Sequence, residues 1–225
     1  MEYKTRVETE SDSSEEQEYS DGGWIQWFCN METHEFFCEV DEDYINDAFN
    51  LYGLRNKFQR YEEALDMILS PESPDEEDLQ NEDFLELYQI AADLYGLIHA
   101  RFIMTLRGLS IMREKFLSQR FGTCPRVMCE RQPVVPVGVS EELRRSRVKI
   151  FCPKCEDVYV PKHKYSDVDG AYFGVSFPHM FLMTYPDLFV KQENSGYVPR
   201  IYGFKIYKRK GSKYDENGNK KLTNN

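Results

Sequence analysis

Cys124-Pro125-Arg126-Val127-Met128-Cys129, then 22 residues, then Cys152-Pro153-Lys154-Cys155 is the stretch on which the reading of the fold turns. Two short-spaced cysteine pairs separated by about 15–25 residues have the spacing of a four-thiolate zinc ribbon. A tetrahedral site needs two tight turns, each presenting two sulfurs to one point. Pro125 and Pro153 each follow the first cysteine of a pair and help to fix those turns. Strands around Pro133–Val139 and Arg147–Phe151 would link the two knuckles. The competing reading, two disulfides, belongs to secreted chains. Met1–Ser20 is polar and acidic and lacks the apolar segment of a secretory signal, so a reducing compartment, cytoplasm and nucleus, is expected. Four thiolates close a metal shell, so the expected zinc, one Zn2+ per chain, is structural rather than catalytic. Cys29 and Cys38 lie far from this spacing and are expected to pack as small hydrophobes.

Upstream of the cysteines the pattern is helical. Asp41 to Leu51 predicts a helix with an acidic first turn, stopped by Gly53. Phe58 to Leu69 predicts another, with Tyr61, Leu65 and Ile68 on one face. Ser70–Asp83, with two prolines and seven acids, reads as a loop. Asn81 can cap the helix that follows, Glu82 to Arg107, whose apolar residues cover more than one face, as a central helix requires. Gly108 is expected to interrupt it, with helix resuming over Leu109–Ser118. From Phe121 proline, glycine, valine, aromatics and cysteine replace the helical pattern, which predicts short strands and turns.

The expected fold class is therefore α+β. Residues 1–22 form a disordered acidic arm and 23–120 a helical domain with an acidic loop at 70–83. A zinc-ribbon-like β domain follows at 121–180, then a C-terminal hairpin segment at 181–208 and a basic tail at 209–225. No run of about 18 apolar residues is present, so no membrane-spanning helix is expected. Charge is uneven: residues 1–83 hold 25 acids against 5 Lys/Arg, residues 84–225 hold 14 against 23. Such asymmetry suits two surfaces with different partners, or only solubility and a basic tail.

Motifs for catalysis are missing. The sequence has no glycine-rich phosphate loop, no His-Glu-x-x-His and no Gly-x-Ser-x-Gly. The four histidines are scattered, and His99, inside the long helix, reads as a core or surface residue rather than a base. A zinc ribbon in a basic half-chain leaves one alternative open, a nucleic-acid-binding or transcription-associated protein, which the acidic first 83 residues oppose electrostatically.

Longer motifs give a more specific reading. Trp27-Phe28-Cys29, Glu35-Phe36-Phe37-Cys38-Glu39-Val40-Asp41-Glu42-Asp43-Tyr44-Ile45, Ala64-Leu65-Asp66-Met67-Ile68-Leu69 and Leu94-Tyr95-Gly96-Leu97-Ile98-His99-Ala100-Arg101 stand in order before the cysteines. Asp169-Gly170-Ala171-Tyr172-Phe173-Gly174, Phe177-Pro178-His179-Met180 and Val198-Pro199-Arg200-Ile201-Tyr202-Gly203-Phe204-Lys205-Ile206 stand after them. Over residues 24–207 the chain resembles the regulatory beta subunit family of casein kinase II.

That resemblance implies a non-catalytic subunit that dimerises through its zinc module. It implies a tetramer of two alpha and two beta subunits, in which the dimer stabilises the catalytic subunits and modulates substrate choice. It gives kinase binding to Tyr202 and Phe204, with Met180 alongside, where the residues alone would read as an ordinary core strand. Period two over Ile201–Ile206 would place Tyr202, Phe204 and Ile206 on one face. It makes Asp75, Glu76, Glu77 and Asp78 an acidic loop for polyamines or basic proteins, and Ser13 and Ser14 phosphorylation sites in an acidic context. Pro133-Val134-Val135-Pro136-Val137 offers an apolar edge for the two-fold partner, or else packs on the helical domain.

Overall fold

The computed structural model describes residues 22–162, 165, 167–188 and 200–205. The expected acidic arm with Ser13 and Ser14, the basic tail, and Ile206 lie outside the described residues.

Helix α1 (Trp24–Asn30) buries Trp24, Ile25 and Phe28, and its N-terminus is tied down by Trp24 N–H donating to the Ser70 carbonyl at 3.0 Å. Helix α2 (Glu42–Asn46) starts on the expected acids but is less than half the predicted length. The chain leaves it because short polar side chains compete with the helical backbone. Asp47 is extended and its carboxylate accepts from the Phe49 N–H at 2.9 Å. The Asn50 amide donates to the Tyr44 carbonyl at 3.0 Å. A run of turns follows to Gly53, whose φ of 77° only glycine adopts without strain.

Helix α3 (Tyr61–Ile68) falls inside the predicted Phe58–Leu69, starting three residues later, and lies on α4 (Glu82–Phe102). The Asn81 side chain caps α4 as expected, accepting from the Asp83 and Phe84 N–H groups. Every residue from Ala91 to His99 is buried, so α4 is the central helix. It ends five residues before Arg107. The Thr105 hydroxyl donates to the Phe102 carbonyl at 2.7 Å and accepts from the Gly108 N–H at 3.1 Å, capping α5 (Leu106–Leu117). Gly108 is thus inside α5 rather than the interruption. A Cβ there would lie 2.2 Å from the Phe102 carbonyl oxygen, so glycine lets α5 start against the end of α4.

Beyond Phe121 lies an antiparallel sheet in the order β1 (Val135–Val137), β2 (Lys149–Cys152), β3 (Asp157–Tyr159). Val135 pairs with Phe151, and Cys152 with Asp157. Helix α6 (Phe177–Thr184) runs across residue 180 and contacts β1. The fold is mixed helix and sheet, with one apolar core running through both parts. Phe36 shows the continuity: it stacks on Tyr165 at 4.2 Å and meets Phe121 edge-on at 5.6 Å.

Candidate metal centre and docking hairpin

Strands of three or four residues cannot hold a sheet by themselves. The cysteines stand where a cross-link is needed. Cys124 and Cys129 come from the first knuckle, closed by a 3-10 turn over Val127–Cys129 and two left-handed residues, Glu130 (φ 52°) and Arg131 (φ 61°). Cys152 ends β2, and Cys155 sits in the turn to β3, where the Glu156 N–H donates to the Cys152 carbonyl at 2.9 Å. The four sulfurs lie within 4.8 Å of one another and all four residues are buried. Cys124 and Cys155 are 3.8 Å apart, Cys129 and Cys152 3.9 Å. A tetrahedron of about 2.3 Å metal–sulfur bonds has edges of about 3.8 Å, so the donor set fits one four-thiolate metal ion. The Arg126 N–H also donates to the Cys124 sulfur at 3.4 Å, a contact that supports a thiolate.

Cys29 and Cys38 are different. Cys38 is fully buried in the helical core and Cys29 packs half-buried against it; burial pushes the Cys29 thiol up to about 12 and the Cys38 thiol up as well. They stay protonated at neutral pH and behave as small core residues.

The valines of the Pro133–Val137 segment do not form a free edge. Val134, Val135 and Val137 are buried within the single chain. Exposed apolar side chains of this module include Val127 (88%), Val158 (50%) and Val160 (70%), with Val139 exposed just past β1.

Sequence reasoning missed the polar cluster where helix α4 meets the cysteine-rich half. Asp93 is buried on α4 and accepts from the Tyr172 hydroxyl at 2.7 Å and from Arg144 Nη2 at 2.8 Å. One turn on, a Cβ at Gly96 would fall 2.0 Å from the Tyr172 ring. His99 Nδ1 contacts the Tyr172 carbonyl at 2.8 Å, and His99 Nε2 accepts from the Cys38 N–H at 3.2 Å. Those partners place the ring proton on Nδ1, and burial lowers the imidazole to about 4, so His99 is a neutral core residue. The signal available in sequence was a lone carboxylate amid the apolar run Ala91–Ile98.

Within the expected C-terminal hairpin segment the turn falls at Tyr202-Gly203, which breaks the period-two face expected over Ile201–Ile206. β4 (Arg200–Ile201) pairs with β5 (Phe204–Lys205), Ile201 opposite Phe204. Tyr202 (φ 48°) and Gly203 (φ 84°) are both left-handed, the signature of a type I′ turn. Tyr202 is therefore the tip of a turn and 96% exposed, and Phe204 is 79% exposed on the second strand. Met180 is partly exposed on α6, in a separate segment of the described chain.

The acidic loop is locally ordered. The Asp75 carboxylate accepts from the Glu77 and Asp78 N–H groups, both at 2.8 Å, and starts the 3-10 turn Asp78–Gln80. Glu76 and Glu77 stay exposed.

Comparison with known proteins decides the family. The family model for the casein kinase II regulatory subunit matches residues 23–205. The chain belongs to the casein kinase II regulatory subunit family. It is 49% identical over 208 residues to the casein kinase II subunit beta of Dictyostelium discoideum, covering 92% of this chain and 75% of the relative. Identity to the subunit beta of Schizosaccharomyces pombe is 46% over 222 residues, covering 96% and 91%. Identity to the subunit beta′ of Drosophila melanogaster is 49% over 190 residues, covering 83% and 85%. The family is that of the regulatory subunit and not of the kinase it regulates, and membership implies association with casein kinase II catalytic subunits. A nucleic-acid-binding function has no support from these relatives.

Proposed function

We propose that this regulatory subunit is a zinc-clamped homodimer that carries two catalytic subunits of casein kinase II, one on each exposed hairpin. The observation that carries the reading is the sulfur tetrahedron, whose 3.8 and 3.9 Å edges match a zinc–thiolate site. Zinc suits it better than a harder cation because four soft thiolates form the whole donor set. The exposed Val127, Val158 and Val160 give the module an apolar surface that a two-fold partner would cover. The dimer face therefore lies on these residues and not on Val134 and Val135.

Tyr202 and Phe204 dock on the catalytic subunit, with Met180 contributing. Their exposure, 96% and 79%, favours anchors over core residues. Glu76, Glu77 and the remaining free carboxylate oxygens of Asp75 and Asp78 attract polyamines or basic proteins by Coulomb attraction that salt weakens. Ser13 and Ser14 accept phosphate in their acidic context, and the protein works in cytoplasm and nucleus.

Native mass spectrometry of the full chain tests the central reading. We expect a dimer with two zinc ions, and monomers after chelation or in Cys124→Ser with Cys129→Ser. A metal-free dimer of the wild-type chain would refute it.

A further inference from the structure

Leu143-Arg144-Arg145-Ser146-Arg147 places three arginines in four residues around one serine. The segment is held in a defined shape. Arg144 is left-handed (φ 62°), and its N–H donates to the Asp169 carboxylate. The Ser146 carbonyl accepts from the Gly170 N–H at 2.8 Å, and the backbone of Arg147 pairs antiparallel with that of Asp169. The result is that Ser146 and all three arginines line one open cavity of about 740 Å3 beside Asp93 and Asp167.

The arginines are not equivalent. Arg144 is committed to the buried Asp93 at 2.8 Å. Arg145 pairs with Glu142 at 2.9 Å and Arg147 with the Asp167 carboxylate at 3.6 Å, in each case between two side chains that are well exposed; Arg147 also donates to the Asp167 carbonyl at 2.6 Å. Pairs in that setting are weak and readily exchanged for a better anion. The Ser146 hydroxyl makes a long bond, 3.2 Å, to the Arg147 carbonyl.

We propose that Ser146 is a phosphorylation site for an arginine-directed serine kinase, and that Arg145 and Arg147 receive the phosphate. The three guanidiniums flanking the hydroxyl are 71%, 71% and 60% exposed in chain order, so acidic subsites of such a kinase can reach them. In the transfer the Ser146 Oγ attacks the γ-phosphorus of ATP. The Oγ–P bond forms, the bond to the β,γ-bridging oxygen breaks, ADP leaves, and the hydroxyl proton passes to the kinase's base. The product carries nearly two negative charges and three acceptor oxygens, which the guanidiniums bind through charge-assisted hydrogen bonds. This is the converse of Ser13 and Ser14, which are flanked by acids, and it does not depend on the dimer or the docking hairpin.

The test uses the full chain, MgATP and the catalytic subunit of the cAMP-dependent protein kinase as probe. Peptide mapping should find near-stoichiometric phosphate on Ser146, none there in Ser146→Ala, and a rate about tenfold lower in Arg145→Ala, the loss of one charged hydrogen bond. Phosphate confined to other residues would overturn the site. Phosphorus NMR of the phosphorylated chain then reads the receiving arginines. The second phosphate pKa should fall below its ordinary value of about 6 and return towards it in Arg147→Ala. An unshifted resonance in the wild-type chain would overturn their role.

Discussion

The Tyr172 hydroxyl donates to the Asp93 carboxylate across 2.7 Å, joining the cysteine-rich half of the chain to the middle of helix α4. Asp93 is 5% exposed, and its carboxylate also accepts from Arg144 at 2.8 Å and from the Gln89 amide at 3.5 Å. Tyr172→Phe removes one donor and leaves a buried carboxylate oxygen short of a partner. We expect a loss of about 1–3 kcal/mol in urea unfolding of the metal-loaded chain. A loss within error of zero would mean that water replaces the hydroxyl at this junction.

His99 makes stability pH-dependent. Burial lowers its imidazole from 6.5 to about 4, while the Tyr172 carbonyl opposes that shift. Because the folded value lies below the unfolded one, the unfolded chain binds the extra proton between them. The contribution is complete above about pH 6.5, falls as pH drops through the window, and is gone below about pH 4. Its full size is about 3 kcal/mol. His99→Leu should flatten the stability profile over that window relative to the wild-type chain. An unchanged slope would place the titrating group elsewhere.

Gly96 carries the opposite of its usual penalty. Alanine in a helix interior is favoured over glycine by about 1 kcal/mol. Here the added Cβ would meet the Tyr172 ring at 2.0 Å, and that ring is fixed by Asp93 at its hydroxyl and by His99 at its carbonyl. Overpacking of about 1–3 kcal/mol should win, so Gly96→Ala destabilises the chain. In a Tyr172→Ala background the same change should turn neutral or stabilising, as a double-mutant cycle of thermal unfolding would read.

The places where sequence and structure agree share a cause. The cysteine spacing, the Asn81 cap and the all-round burial of α4 are local or periodic features, and period and spacing are what a sequence displays. Helix α2 failed because Asp47 and Asn50 offer the backbone local partners that a hydrophobic pattern does not reveal. The end of α4 was misplaced for the same reason, with Thr105 outranking Gly108 as the break. Burial of Val134 and Val135 depends on contacts between distant segments, α6 with β1, and these have no local signature. The Asp93–Tyr172–Arg144 cluster spans residues 93 to 172 and was illegible until the chain was folded.

Tyr202 breaks a local rule, and that makes it informative. Both central positions of a type I′ turn need positive φ, and asparagine-glycine is the favoured pair. Gly203 satisfies the rule, whereas tyrosine at φ 48° costs about 1–2 kcal/mol. A strained, 96% exposed aromatic gains the turn nothing, so its value must lie in what it touches. Tyr202→Asn separates the two effects: it should leave the hairpin as stable or more so, yet weaken binding of the casein kinase II catalytic subunit. An anchor worth about 2 kcal/mol corresponds to roughly 30-fold in affinity. Phe204→Ala should cost a similar amount, and the double variant should abolish copurification while the dimer survives. Calorimetric titration of the catalytic subunit into each variant measures the loss. Wild-type affinity in Tyr202→Asn would remove the turn tip from the docking surface.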